Sequence, residues 1–290
     1  MLYAKDSSYF DTIGENQAYI LGLLFADGCH YRGGTVSLSL QIRDKLILDK
    51  IKDQLKYEGP VCITRRQPPR QDCAKLAIAN KKLSARLLEL GLLPAKSLIL
   101  EYPNWLTAET ERHFIRGCID GDGHIKDKGR CGFELVGTHS MCTGLAHAFK
   151  FYCGAEGTIQ RKDKNSLKNT YVFYLGPRAG AGKVLDWLYS NAELYIDRKY
   201  EAAMRQIKLS VMREEAVQPQ FCSVDGCELT VHAKGLCISH YDKARYKANH
   251  IPKPKNRHSI CSIDGCKRTI YAKGLCWPHY LRQLRSVQSG

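Results

Sequence analysis

The stretch Phe114-Ile-Arg-Gly-Cys-Ile-Asp-Gly-Asp-Gly-His-Ile125 reads as the end of a helix that turns into a strand, apolar Phe114, Ile115, Cys118 and Ile119 being followed by Asp-Gly-Asp-Gly. Gly117 and Gly121 are four residues apart and so share one helical face. A helix bare along one stripe lets another backbone approach closely, and the chain supplies a second one of the same kind. Ninety-five residues earlier stands Tyr19-Ile-Leu-Gly-Leu-Leu-Phe-Ala-Asp-Gly28, with Gly22 and Ala26 at the same spacing and Asp27 before the same glycine. Two copies in one chain mean an internal repeat. If the two helices pack side by side, Asp27 and Asp122 meet at their C-terminal ends. Each carboxylate then faces the negative end of its own helix dipole and the other carboxylate as well. A cation belongs between them, and hard oxygen ligands, few in number, suit Mg²⁺ that stays partly hydrated and is shared with a substrate phosphate.

Outward from these segments the same order of elements occurs twice. In the first copy a helix over Asn16 to Asp27 precedes Thr35-Val-Ser-Leu-Ser-Leu-Gln41, whose strict alternation predicts a half-buried strand. Val36, Leu38 and Leu40 should face the core, with Thr35, Ser37, Ser39 and Gln41 outward. A helix carrying Leu46, Ile47, Ile51 and Leu55 follows, then strands near Val61 to Arg66 and Lys75 to Ala79, then a helix from Lys81 to Leu90 ended by Gly91. The second copy offers a strand over Gly132 to Val136, a helix over Met141 to Tyr152, strands over Thr158 to Arg161 and Tyr171 to Leu175, and a helix over Lys183 to Ser190. Counting a short strand after each Asp-Gly, each unit is helix, two strands, helix, two strands, helix, an α+β class. Gly176-Pro-Arg-Ala-Gly-Ala-Gly182 lacks the Gly-Lys-Ser/Thr ending of a phosphate loop and reads as a turn before its helix.

Composition narrows the function. A net charge of +15 and a pI near 9.2 point to a polyanionic partner. Dividing after residue 210 leaves 31 basic against 23 acidic residues before the cut and 13 against 6 beyond it, so the tail is proportionally the more basic part. No apolar run nears the roughly 20 residues needed to cross a bilayer, and Met-Leu-Tyr-Ala-Lys-Asp-Ser-Ser has no signal-peptide pattern. An intracellular, cytoplasmic protein without membrane attachment is expected. Thirteen cysteines, an odd number, argue against a disulfide framework. Seven of them (Cys29, Cys62, Cys73, Cys118, Cys131, Cys142, Cys153) have no ligand spacing and read as small buried hydrophobes.

Both Asp-Gly segments resemble the signature of the LAGLIDADG homing endonucleases in their single-chain, two-repeat form, over roughly residues 10 to 210. Ile119-Asp-Gly-Asp-Gly123 matches well, whereas in the first copy Phe25 replaces the earlier acidic residue. The family's metal-binding carboxylate is the later one, which falls on Asp27 and Asp122. The resemblance implies two pseudo-symmetric repeats, residues 1–105 and 106–210, whose curved sheets form a β-saddle over double-stranded DNA. It also implies that a lysine arriving after the last helix of each repeat polarises the active-site water or phosphate. Lys96, 69 residues after Asp27, and Lys199, 77 after Asp122, occupy that place, and a cation near a phosphorane-like transition state is physically sensible. Gln41 matches the region where the family often places a polar residue that orders water. Arg43, Arg65, Arg66, Lys75, Arg161, Lys162 and Lys164 are the DNA-contact candidates, since such side chains can reach base edges and phosphates. For each of them a solvated strand face is the alternative.

After a linker over residues 211–220 the tail carries a second, shorter repeat. Cys222, Cys227, Cys237 and His240 have the form C-x4-C-x9-C-x2-H, and Cys261, Cys266, Cys276 and His279 repeat it with identical gaps. Three thiolates and an imidazole make a closed tetrahedral set of the kind structural Zn²⁺ takes. Modules of this size, 221–247 and 260–285, have no room for a core, so the metal supplies most of their folding free energy. They look like the Cys3His elements appended to some phage-type nucleases. Each is followed by a basic, aromatic run, and Ile251-Pro-Lys-Pro-Lys-Asn-Arg257 between them reads as an extended basic linker. Both are expected to bind DNA beside the saddle, with a protein-binding or purely structural role as the alternative.

The expectation that unites these readings is a monomeric, site-specific double-strand DNA endonuclease that uses Mg²⁺ and has a long asymmetric target. The rivals are an RNA-splicing maturase and a non-cleaving DNA-binding regulator. Two carboxylates in mutual repulsion favour the nuclease, because a binder has no use for a metal site.

Overall fold

The computed structural model describes residues 3–126, 132–216, 220–249 and 260–287 of the 290-residue chain. The chain divides into two compact units, Met1–Val217 and Gln218–Gly290.

The first unit is two copies of one arrangement. Its first copy begins with α1 (Glu15–Asp27), whose N-terminus is capped by Gln17 Oε1 accepting from the Gly14 amide at 3.2 Å. β1 (Gly28–Tyr31) and β2 (Thr35–Gln41) follow, then α2 (Lys45–Gln54), β3 (Cys62–Thr64), β4 (Cys73–Ala79) and α3 (Lys81–Glu89). The side chain of Asn80 caps α3 by accepting from the Leu83 amide. The second copy runs α4 (Glu111–Asp122), β5 (Gly123–Ile125), β6 (Phe133–Gly137), α5 (His139–Cys153), β7 (Thr158–Arg161), β8 (Tyr171–Leu175) and α6 (Ala181–Tyr189). Each copy holds one antiparallel four-stranded sheet, ordered β1-β2-β4-β3 and β5-β6-β8-β7. The registers correspond, Gly28 pairing with Leu38 and Gly123 with Leu135. The α+β reading therefore holds, including the short strand after each Asp-Gly. Each signature helix passes straight into that strand because Gly28 and Gly123 abut the carbonyls of Leu24 and Ile119, where a Cβ would not fit.

The predicted seam between the signature helices is present. A Cβ on Gly22 would collide with the backbone of Phe114, and one on Gly117 with the backbone of Tyr19, so the two approaches are related by a pseudo-two-fold axis. Gly121 faces the Ala26 methyl. Around the seam lies a continuous apolar core, with Leu21, Leu23, Phe114, Ile115 and Ile119 fully buried.

Three expectations need correction. Val36, Leu38 and Leu40 are buried as expected, but so is Ser37, whose small side chain lies between its cross-strand partners Cys29 and Ala77. Of the six unpatterned cysteines among the described residues only Cys118 and Cys142 are buried. Cys29 and Cys62 are exposed, because strand alternation turns them to the outer face, Cys73 and Cys153 are half-buried, and Cys131 lies outside the described residues. The boundary set at residue 210 falls inside α7 (Asp197–Ala216), a 20-residue helix that takes in the first six residues of the expected linker. Its polar sequence gives little apolar periodicity, and it packs on α6, Ser210 lying against Gly182, with Ala202, Ala203 and Gln206 buried on its inner face.

The second unit contains the two cysteine modules, each a pair of tight turns leading into a helix, α8 (Ile238–Asn249) and α9 (Trp277–Val287). The expected linker Ile251-Pro-Lys-Pro-Lys-Asn-Arg257 lies outside the described residues. Among the described residues no helix is long and apolar enough to cross a membrane.

Candidate functional site

α1 and α4 end on Asp27 and Asp122, and their packing brings those ends together. A Cβ placed on Gly121, the residue before Asp122, would lie 3.1 Å from Asp27 Oδ2. By surface area both side chains are open to solvent, yet each carboxylate is recessed among protein atoms on most sides. Burial pushes the Asp27 carboxyl up to about 6, and the neighbouring Asp122 charge pushes the same way, against the pull of Lys96, Lys199 and Arg198. Burial raises Asp122 too, opposed by Lys96, Lys199 and Lys162. Two carboxylates so placed are a donor set that fits a divalent cation with hard oxygen preference.

Both predicted lysines arrive at this place, and both are buried. Lys96 sits in a 3-10 turn (Lys96–Leu98) entered through Ala95 in the left-handed region, φ 53°. Its ammonium donates to the Ala26 carbonyl at 2.7 Å, one residue before Asp27. Lys199, in the first turn of α7, donates to the carbonyls of Ile119 (3.3 Å) and Gly123, on either side of Asp122. Each cation thus sits at the negative end of its own repeat's signature helix. Burial lowers the Lys96 pKa against the pull of Asp122 and Asp27, and burial together with the Arg198 charge brings Lys199 down to about 8.

Beside them a cleft of ≈ 450 Å³ is bordered by Lys96, Asp122, Lys162, Thr138, Thr170 and Cys118. Gln41 ends β2, and its Oε1 is buried without a hydrogen-bond partner among the described residues. By register its counterpart in the second copy is Thr138, whose hydroxyl is already engaged, donating to the Leu100 carbonyl at 2.6 Å.

The DNA-contact candidates fall in different places. Lys75 is on the outer face of its sheet, opposite Ser39 and Cys62, with its ammonium 5.5 Å from the Tyr31 ring. Arg43 is exposed in the 3-10 turn Ile42–Asp44, and Arg65 and Arg66 are exposed beyond the end of β3. Lys162 and Lys164 are exposed after β7, Lys162 also bordering the cleft. Arg161 is exposed at the end of β7. The register pairs it with Tyr171, in the row parallel to core-facing Ile159 and Phe173, and its guanidinium lies on the Tyr171 ring at 5.1 Å.

Three features of the site escaped the sequence reading. Arg198 clamps Asp44 with two hydrogen bonds of 2.9 Å, tying α7 of the second copy to the first. Asp120 is a fully buried acceptor for Tyr189 OH (2.5 Å), Tyr19 OH (2.8 Å) and the Ile196 amide (2.8 Å). Burial raises its pKa against those three donors and the nearby Arg116. Gln206, 1% exposed, donates to the Lys126 carbonyl and leaves its Oε1 without a partner among the described residues. The only signal for Asp120 was the extra acidic residue in the second signature, and the partners of Arg198 and Gln206, remote in sequence, gave none.

In the second unit both predicted ligand sets converge. Cys222, Cys227, Cys237 and His240 place their ligand atoms within 4.8 Å of one another, as do Cys261, Cys266, Cys276 and His279. The Cys227–Cys237 and Cys266–Cys276 sulfur separations are both 3.8 Å, matching the edge of about 3.8 Å that a tetrahedron with Zn–S bonds of about 2.3 Å requires. In both sets it is Nδ1 of the histidine that faces the sulfurs, at 3.2 and 3.3 Å in the first and 3.3 and 3.5 Å in the second. The residues fit zinc. Against burial, backbone donors and the His240 ring hold the Cys222 thiol down to about 6, and the His279 ring with backbone donors does the same for Cys261. Each module is closed by a Lys-Gly turn, Lys234-Gly235 and Lys273-Gly274, in which both residues have positive φ as a type I′ turn demands.

No protein-family model matches the chain, and no curated protein matches it. Solved structures similar to it include the I-SmaMI LAGLIDADG homing endonuclease bound to cleaved DNA, at 13% identity and a TM-score of 0.44 over 71% of this chain and 91% of that one. Another is I-DmoI in complex with DNA and Ca, at 16% identity and a TM-score of 0.45 over 69% of this chain and 99% of that one.

Proposed function

We propose that this chain is a site-specific double-strand DNA endonuclease whose working centre is the Asp27–Asp122 pair. The observation that carries the proposal is the convergence of two carboxylates from pseudo-symmetric helices, each raised in pKa, with one buried lysine from each repeat behind them. A bound Mg²⁺ would act as a Lewis acid on the scissile phosphate and make an attacking hydroxide available near neutral pH. Asp27 and Asp122 would hold that ion jointly with the substrate. Lys96 and Lys199 place fixed positive charge where the phosphorane charge develops, one for each strand. The unpartnered Gln41 Oε1 orients a water in the first copy, as an unpaired buried acceptor calls for.

The outer faces of the two sheets form the DNA surface in this proposal. They are unlike in chemistry: Tyr31, Ser39 and Lys75 on one, His124, Glu134 and Tyr174 on the other. Unlike faces suit unlike half-sites, hence a long asymmetric target, and a chain that carries both repeats acts as a monomer. Both modules of the second unit hold structural Zn²⁺.

The test is cleavage of a randomised double-stranded DNA library in Mg²⁺ by the wild type, Asp27→Asn and Asp122→Asn. The expected result is a defined long site cut by the wild type alone, with the variants inactive or limited to nicks. If all three bind DNA and none cuts, the pair is not a working metal site and the chain is a binder.

A further inference from the structure

The two zinc modules share one geometry but not one surface. Thirty-nine residues separate equivalent positions, and the ring contact His232–Tyr241 (5.6 Å, 65°) recurs as Tyr271–Tyr280 (5.7 Å, 52°). On that shared scaffold the second module adds Trp277 where the first has Ile238, and the indole meets Tyr271 edge-on at 4.4 Å and 73°. Both rings stay open to solvent, Tyr271 at 61% and Trp277 at 48% exposure. The charges diverge as well. Glu228 and Leu229 of the first module are replaced by Lys267 and Arg268 in the second. Over the described side chains the first module sets three basic residues against Asp225, Glu228 and Asp242, whereas the second sets four against Asp264 alone.

We infer that the second module is a site for single-stranded DNA, with Tyr271 and Trp277 as the stacking platform and exposed Lys267, Arg268, Lys273 and Arg282 as the phosphate grip. Two solvent-facing rings with a T-shaped contact each leave a π-face free, and an unstacked base covers such a face whatever its identity. A duplex keeps its bases stacked and can use only the cations. A protein partner has no call for a four-to-one excess of positive charge. The first module has His232 and Ile238 at the platform positions and no charge excess, its exposed Phe221 and Tyr246 lying at other positions of the scaffold, so it does not take part. The choice of DNA over RNA rests on the nuclease reading, in which opened strands arise at the cut; the platform itself does not depend on Asp27 or Asp122.

The experiment uses the full chain without added magnesium and three fluorescent probes: an oligo-dT of about twenty nucleotides, an oligo-rU of the same length, and a duplex of unrelated sequence, long enough for one module to engage fully. Tyr271→Ala/Trp277→Ala should weaken oligo-dT binding about tenfold or more, change duplex binding less than about twofold, and keep both zinc ions on the chain. Lys267→Glu/Arg268→Leu installs residues that the same scaffold already carries in the first module, so it folds, and it should weaken both DNA probes and reduce the salt slope. Trp277→Phe should preserve binding while abolishing the quenching of tryptophan emission by oligo-dT. His232→Ala/Ile238→Ala should change nothing. Equal losses for duplex and single strand, no loss with Tyr271→Ala/Trp277→Ala, an equal loss with His232→Ala/Ile238→Ala, or tighter binding of oligo-rU would each overturn the inference. Because no cleavage is read, inactivity of the carboxylate pair would leave the result standing.

Discussion

The seam between α1 and α4 has two ends that the pseudo-two-fold axis should make alike, and their side chains are opposite in character. At one end Tyr19 meets Asp120; at the other their equivalents are Phe114 and Phe25, ninety-five residues removed in each case. Phe25 and Phe114 meet edge-to-face at 5.2 Å, and Trp105 and Tyr102 complete an aromatic cluster around Phe114. Asp120 instead gathers Tyr19, Tyr189 and the Ile196 amide, with buried Arg116 donating to the Leu188 and Leu194 carbonyls beside it. The backbone seam is symmetric because glycine packing demands it; the side chains need not be, provided each end is satisfied in its own way. The polar end also has a task. Ile196 starts the turn whose carbonyl accepts from the Lys199 amide, so Asp120 helps fix the root of α7 and with it the lysine that reaches Asp122. The apolar end leaves Lys96 to be delivered by a single turn through Ala95.

Exchanging the two chemistries should produce the largest effects. Phe25→Asp puts a carboxylate among aromatic rings with no donor at hand, and a cost of at least about 4 kcal/mol is expected. Asp120→Ala leaves two buried hydroxyls and an amide without an acceptor and Arg116 without its counter-charge, for about 3–5 kcal/mol. Urea unfolding of the first unit measures both. A loss below about 1 kcal/mol for Asp120→Ala, within the range of one ordinary hydrogen bond, would show that the polar end is ornamental and that the two ends differ in composition alone.

The symmetric part of the seam gives an intermediate and sharper test. Gly22→Ala and Gly117→Ala each drive a methyl into the partner helix's backbone, an overpacking worth about 1–3 kcal/mol or more. Because the approaches are reciprocal, the two losses should agree within about 0.5 kcal/mol, the scatter ordinary for independent sites. A clear inequality would mean that the helices yield at one end, and the stiffer end would then be identified by the larger loss.

Much of this was legible beforehand, for a physical reason. Elements set by local alternation or by a glycine stripe announce themselves, and β2, β7 and β8 have the bounds that pattern alone assigns. The lysines at 96 and 199 could be placed only through the family resemblance. What stayed hidden was decided by tertiary contact. The polar helix α7 is helical because one face docks, and Ser37 is buried because its small side chain is covered between its neighbours on the adjacent strands. The Arg198–Asp44 clamp joins residues 154 positions apart, a separation on which no local pattern can report.

The smallest expected effect concerns the carboxylates themselves, one from each copy. Asp27 has a folded-state pKa of about 6 against an ordinary 3.8, so folding favours its protonated form. Below about pH 3.8 both folded and unfolded chains hold the proton and no penalty arises. As pH rises toward about 6 only the unfolded chain ionises, and above that the penalty is complete and constant. Asp27→Asn should therefore make the metal-free protein more stable at about pH 8, by about 1 kcal/mol once solvent screening at an exposed carboxylate is allowed for. The corresponding rise in Tm of the first unit is about 2–4 °C, and it should shrink as pH falls from about 6 toward 4. Asp122→Asn should act in the same direction, since burial raises Asp122 as well and its charge adds to the penalty at Asp27. Mg²⁺ should erase the advantage of both variants, because an ion shared by two carboxylates removes the repulsion that the asparagine removes. Melting curves at about pH 8, 6 and 5, with and without Mg²⁺, read all of this. A gain independent of pH would trace the effect to packing at the helix ends, and a gain that survives Mg²⁺ would place the ion somewhere other than between Asp27 and Asp122.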